Sequence, residues 1–247
     1  MKFALISLGC SKNLVDSENF IGILVNKRGF EVTSELGEAD IIIVNTCGFI
    51  GDAKKESIET ILEVSDLKIN GNLKKIIVTG CLAQRYAGEI LKELPEVDAV
   101  IGTGEIDKIE KVVEEVLADK RVVESTKMDF LADSETDRVL TTASHTAYLK
   151  IAEGCDRKCT YCIIPQLRGS LRSRTIEDIL KEANKLVDSG VRELNLLAQE
   201  TTEYGIDLYK EKSLARLMKE LVKIDGLKWL RTYYMFPDSL TDELIDV

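Results

Sequence analysis

The chain alternates short, unbroken apolar runs with longer amphipathic stretches. Residues 3–8 (Phe-Ala-Leu-Ile-Ser-Leu) form the first run, closed by Gly9 and Cys10. An amphipathic segment follows, in which Ser17 or Asp16 can cap a helix running to about Lys27, with Gly29 as its stop. The second run, 41–44 (Ile-Ile-Ile-Val), is β-branched throughout and closes on Asn45-Thr46-Cys47-Gly48. Helical periodicity occupies about 52–66. A third run, 76–79 (Ile-Ile-Val-Thr), closes on Gly80-Cys81 and precedes a helix over about 84–94. A fourth, Ala99-Val100-Ile101, ends at Gly102-Thr103-Gly104 before a charged helix over about 105–118. Continuous apolar strands alternating with amphipathic helices predict an open parallel sheet covered on both faces, an α/β fold.

Periodicity then fades. Residues 121–144 are rich in Asp, Ser, Thr and Glu and read as a linker between a domain at 1–120 and a second at 145–247. The second domain opens on a strand from Ala147 to Ala152. A helix follows from about Thr175, its cap, to Asp188, with Gly190 as its stop. A strand at 191–198, a helix at about 213–224 and a strand from Leu227 to Tyr233 complete a βαβαβ pattern, a second parallel sheet.

The cysteines change this picture from fold to chemistry. Cys155, Cys159 and Cys162 have C-x3-C-x2-C spacing. A structural zinc wants four protein ligands, and no fourth Cys or His lies nearby. Three thiolates can hold a [4Fe–4S] cube with one iron left open. Three structural thiols in a loop are the bland alternative. Cys10, Cys47 and Cys81 each follow a strand directly, so all three fall at the strands' carboxyl ends, where open parallel sheets bind ligands. They too converge as three ligands, unless they are small buried hydrophobes.

Charge and composition narrow the classes. The net charge of −10 argues against a broad nucleic-acid surface, although Arg and Lys gather between Arg157 and Arg174. No apolar run reaches bilayer length and the first residues are too quickly polar for a signal peptide, so a cytoplasmic protein without a membrane or DNA partner is expected. Six cysteines there suit metal binding better than disulfides. His145, the only histidine, reads as incidental.

The spacing of Cys155, Cys159 and Cys162 resembles the signature of the radical S-adenosylmethionine (SAM) enzymes, whose open iron binds SAM. Ser7-Leu8-Gly9-Cys10-Ser11-Lys12-Asn13-Leu14-Val15-Asp16-Ser17-Glu18 looks like the opening of the methylthiotransferases of the MiaB/RimO family, of the RimO branch in particular. Val44 to Ile50 and Val78 to Tyr86 match that family's other two cysteine motifs. Leu197-Ala198-Gln199-Glu200-Thr201-Thr202-Glu203-Tyr204-Gly205 and Tyr234-Met235-Phe236-Pro237-Asp238 resemble the same branch.

The resemblance implies a flavodoxin-like methylthiotransferase domain followed by the N-terminal half of a radical SAM partial β/α barrel. It implies two [4Fe–4S] clusters, one on each cysteine trio, together with SAM. The reaction implied adds a methylthio group to the β-carbon of an aspartate in the small-subunit ribosomal protein uS12, with electrons from a donor such as flavodoxin or ferredoxin. Tyr161 is expected near the adenine or as a shield for the cluster, Gln199 at SAM or substrate. Arg172 and Arg174, with Arg168, are expected at a carboxylate of SAM or of an acidic substrate. Alternatives are a tRNA adenosine methylthiotransferase and a non-enzymatic iron–sulfur electron carrier. Relatives of this kind continue through the rest of the barrel and a TRAM domain, whereas this chain stops at Val247 within an expected helix. The unpaired strand edge left by such a truncation leads us to expect self-association.

Overall fold

A computed structural model describes residues 1–126 and 128–247. They form two compact units. Unit 1 comprises Met1–Phe130, Asp137–Val139 and Gln166–Arg168; unit 2 comprises Leu131–Thr136, Leu140–Pro165 and Gly169–Val247.

In unit 1 the apolar runs become β1 (Lys2–Ser7), β3 (Ile41–Thr46), β4 (Lys75–Gly80) and β5 (Ala99–Ile101). Two short strands that lack apolar runs join them, β2 (Glu31–Val32) and β6 (Val122–Glu124). Among the described residues the sheet order is β2-β1-β3-β4-β5-β6, parallel throughout. β6 lies within 121–144, so that stretch is not wholly linker. Backbone pairing with β5, from Ala99↔Val122 to Ile101↔Glu124, supplies order that side-chain periodicity does not announce.

The helices are α1 (Ser11–Arg28), α2 (Gly51–Asn70), α3 (Cys81–Glu93) and α4 (Ile109–Leu117), the last preceded by a 3₁₀ turn at Ile106–Lys108. Alternation along β3 explains its unbroken apolar run. Ile41 and Ile43 enter one core with Phe3, Phe20 and Val112, while Ile42 and Val44 enter the other with Ile61, Ile76 and Val78. All four β3 residues are buried, each worth roughly 2–3 kcal/mol in apolar transfer.

α1 corrects one expectation. Its N-cap residue is Cys10 and its first helical residue Ser11, six residues before Ser17. Asp16 and Ser17 therefore lie inside the helix and are buried. They are tolerated because each has a partner: Asp16 pairs with Arg168, and Ser17 Oγ donates to Ser7 Oγ at 2.9 Å. At its other end Gly29 adopts φ +63 and caps the helix as expected.

Unit 2 is built on β7 (Thr146–Lys150), then β8 (Ala152–Glu153), which pairs antiparallel with β9 (Arg172–Ser173). The strand expected over 147–152 is thus two strands. α5 (Ile164–Arg168) lies between β8 and β9 in the chain, and α6 (Ile176–Asp188) follows β9. Next come β10 (Glu193–Leu197), α7 (Ile206–Tyr209), α8 (Leu214–Leu221), β11 (Trp229–Thr232) and α9 (Asp242–Asp246). The order β11-β10-β7 is parallel, the expected βαβαβ arrangement, over a core including Leu149, Leu194, Ile179 and Leu217.

Thr175 caps α6 by accepting a hydrogen bond from the Asp178 backbone N–H at 3.3 Å. Thr175→Ala is expected to cost about 1 kcal/mol, read as a lower denaturant midpoint. An unchanged midpoint would show that the cap contributes nothing.

Among the described residues, no helix is long and apolar enough to cross a membrane.

Candidate metal centres

In unit 1, Cys10, Cys47 and Cys81 follow β1, β3 and β4, three neighbouring parallel strands, at their carboxyl ends. Two glycines make the approach possible. Gly9 has φ +88, and a Cβ there would meet Cys47 Cβ at 2.8 Å. Gly80 has φ +91, and a Cβ there would collide with Asn45 Oδ1 and the Thr46 carbonyl. Gly80→Ala is accordingly expected to lower stability by at least about 1–2 kcal/mol, seen as a lower melting temperature. A variant melting with the parent would contradict that placement.

Asn13, in the first turn of α1, ties these ends together. Its Nδ2 donates to the carbonyls of Leu8 and Thr46, both at 3.0 Å. Its Oδ1 lies 4.0 Å from Cys10 Sγ and 3.9 Å from Cys81 Sγ. Asn45 Nδ2 donates to the Asn13 carbonyl at 2.8 Å and to Ser17 Oγ at 2.9 Å. The Cys47 N–H donates to Ser57 Oγ at 3.0 Å, which fixes the loop after β3. Burial pushes the Cys81 thiol up, the Arg168 guanidinium pulls it down, and the Cys10 and Cys47 thiols push it up again.

In unit 2, Cys155, Cys159 and Cys162 occupy the loop after β8. Gly154 at φ +81 turns the chain, and the Cys155 N–H donates to the Gly169 carbonyl at 3.0 Å. The Cys162 N–H donates to the Cys159 carbonyl at 3.0 Å. Burial raises the Cys155 thiol first, the Arg157 backbone pulls it down, and the Glu200 carboxylate and the other two thiols push it up. A cavity of about 250 Å³ is lined by all three cysteines with Tyr161, Gln199, Glu200 and Phe236 among others. A second, of about 270 Å³, is lined by Cys155, Arg157, Glu200 and Glu203 among others.

Arg157, between the first two cysteines, pairs with Glu200 and with Glu203 at 2.9 Å, donates to Ser239 Oγ and stacks 3.9 Å over the Phe236 ring. Pattern reading of the sequence did not single it out. The signal was available in a cation inside the cysteine loop and two carboxylates after β10.

Tyr161 is 85% exposed and lines the first cavity. Gln199, beyond the carboxyl end of β10, donates to Glu153, which also pairs with Lys150 at 2.9 Å. Gln199 Oε1 is buried without a hydrogen-bond partner among the described residues. Arg172 donates to the Ser170 carbonyl at 2.7 Å.

Arg174 departs from its expected place at a carboxylate of SAM. It is buried, paired with Asp178 at 2.7 Å and Glu182 at 2.5 Å, and donates to the Lys150 carbonyl at 2.8 Å. Residues 178 and 182 stand four and eight positions along, on the α6 face that meets it. Arg168 also departs, and lies in unit 1. His145 is exposed, and its carbonyl accepts from the N–H groups of Arg192 and Glu193.

All six cysteines are free thiols. Among the described residues, no three of His, Cys, Asp and Glu stand close enough to hold one metal ion. That spacing does not speak against a cubane, where each thiolate binds a different iron and the ligands stand further apart. The donor set, three soft thiols with no fourth Cys or His, fits such a group better than zinc.

A profile of the family described as "Uncharacterized protein family UPF0004" matches residues 2–102, and one of the "Radical SAM superfamily" matches 149–247. The chain therefore joins a UPF0004 unit to a radical SAM unit. The "Ribosomal protein uS12 methylthiotransferase RimO" of Clostridioides difficile (strain 630) is 54% identical over 247 residues, covering 100% of this chain and 55% of that protein. The protein of the same name from Thermoanaerobacter sp. (strain X514) is 54% identical over 242 residues, 98% of this chain and 55% of its own. Among solved structures, the radical SAM methyltransferase TsrM from Kitasatospora setae matches with a TM-score of 0.62 at 12% identity, over 99% of this chain and 56% of that one; it shares the fold. Over 98–100% of its length the chain is similar to proteins named ribosomal protein uS12 methylthiotransferase RimO. It spans about half the length of the curated relatives it matches.

Proposed function

We propose that the chain takes part in radical SAM methylthio transfer to the β-carbon of an aspartate in ribosomal protein uS12. The observation that carries this reading is the pair of three-cysteine sets, each three thiols with no fourth Cys or His at hand, in a chain 54% identical to proteins named for that activity.

Cys155, Cys159 and Cys162 are assigned to one [4Fe–4S] cluster, and Cys10, Cys47 and Cys81 to a second. Bound clusters and SAM supply the one-electron chemistry that removes a hydrogen from an sp3 carbon, which no side-chain base can deprotonate at neutral pH. The protein's own groups bind and orient. Tyr161 and Gln199 line the cavity beside the later trio, and the unpartnered Gln199 Oε1 offers an acceptor for the SAM amino group or a substrate N–H. Glu200, held by Arg157, keeps that cavity's wall charged and fixed. Arg172 remains the candidate cation for a carboxylate. An electron donor such as flavodoxin or ferredoxin and a cytoplasmic location belong to the same reading.

The test incubates anaerobically reconstituted protein with SAM, reductant and sulfide, against uS12 and against tRNA in parallel. Methylthio-aspartate in uS12 peptides, found by mass spectrometry, is the expected product. Modified adenosine in the tRNA, with unmodified uS12, would assign the substrate to RNA instead. SAM cleavage absent from every incubation would remove the enzyme reading.

A further inference from the structure

We propose that Arg168 is the cationic positioning residue of the N-terminal thiol site and sets the charge felt by the group that Cys10, Cys47 and Cys81 bind. The inference rests on the cluster assignment made above and deepens it.

Arg168 belongs to the run of arginines from which a SAM carboxylate partner was expected, yet its side chain is only 2% exposed and lies in unit 1. Its Nη1 donates to Asp16 Oδ2 at 2.7 Å and its Nη2 to Asn13 Oδ1 at 2.6 Å. That same Asn13 oxygen stands within 4.0 Å of two of the three sulfurs. The guanidinium is thus one hydrogen bond away from the thiols. Its backbone is held as well, for Thr103 Oγ1 donates to the Leu167 carbonyl at 2.5 Å.

Burying a guanidinium and a carboxylate together costs more desolvation than an apolar pair of the same volume. Three thiolates holding one group repel one another, and that repulsion falls when a fixed positive charge sits beside them. A planar fork that cannot lose its proton supplies the charge without a protonation equilibrium. Asp16, bonded to Nη1 of the same fork, opposes it. The two residues therefore bias the site in opposite senses: a nearby cation favours the more reduced, more negative state of a bound cluster, and an anion disfavours it.

The experiment uses the full chain with Cys155, Cys159 and Cys162 replaced by Ala, so that only the N-terminal site can load. Each variant is reconstituted anaerobically and its midpoint potential read by an EPR-monitored redox titration. Arg168→Met is expected to shift the potential down, Asp16→Asn to shift it up, and Arg168→Lys to leave it near the parent. Should Arg168→Met hold no iron, Asp16→Asn alone and the Asp16→Asn/Arg168→Met double variant decide. The first must move upward and the second must return toward the parent. A merely structural pair would shift both single variants the same way or neither, and that result overturns the proposal. A parent that loads iron but shows no opposed shifts sinks the role of Arg168 alone. A parent that loads no iron sinks the cluster assignment with it.

Discussion

Cys47→Ala is expected to halve the iron of the anaerobically reconstituted chain, from about eight atoms to about four, with acid-labile sulfide falling in step. Cys47 sits on the loop after β3, its backbone N–H fixed by the Ser57 hydroxyl and its side chain beside Gly9. Two thiols cannot hold a cube with one vacant corner. Cys159→Ala should also leave about four irons. The two variants then separate by their response to SAM. The EPR signal that remains in Cys47→Ala should change when SAM is added, and the one that remains in Cys159→Ala should not. Full iron retained in Cys47→Ala, or zinc in place of iron, would dismantle the assignment of the early cysteines. A closed electron carrier predicts silence toward SAM in both variants.

Arg138→Met is expected to destabilise unit 1 by about 3–5 kcal/mol. Its side chain is 9% exposed and pairs at 2.6 Å with Glu18, which is 0% exposed. Losing the guanidinium takes a charged partner from a carboxylate buried in the interior of α1. Against a typical domain stability of about 5–15 kcal/mol, that is from about a fifth to all of the total. The segment Asp137–Val139 is also held by the Val139 N–H donating to the Glu18 carbonyl at 3.1 Å and by Asn26 donating to Asp137 at 2.9 Å. Gly22 leaves room for it, since a Cβ there would collide with the Arg138 backbone. Denaturant unfolding measures the loss. Glu18→Leu/Arg138→Met should recover most of it, because removing both charges removes the desolvation cost of burying either. A single variant within about 1 kcal/mol of the parent would show the pair to be solvated rather than buried.

The regular elements and the cysteine positions were legible in the chain itself, because each is announced locally. β3 is readable since a strand buried on both faces must be apolar at every position, and α6 since Thr175 stands where a helix start needs an acceptor. The strand-then-cysteine order of Cys10, Cys47 and Cys81 follows from the same runs, because parallel strands share one carboxyl edge.

What the chain could not announce is where a long polar side chain ends up. Arg168, Arg172 and Arg174 look alike as a basic run, yet Arg168 enters the N-terminal thiol site, Arg174 braces α6, and Arg172 bonds the Ser170 carbonyl. Asp16 reads as a helix cap and is instead buried inside α1, as is Asn13. β2 and β6 are too short for their sequence to announce them, and they exist because a neighbouring strand offers hydrogen bonds. Local sequence sets backbone preference and which faces are apolar. The partner of a buried charge is fixed only by the tertiary structure, since it comes from residues far along the chain and is chosen by the desolvation each group must offset.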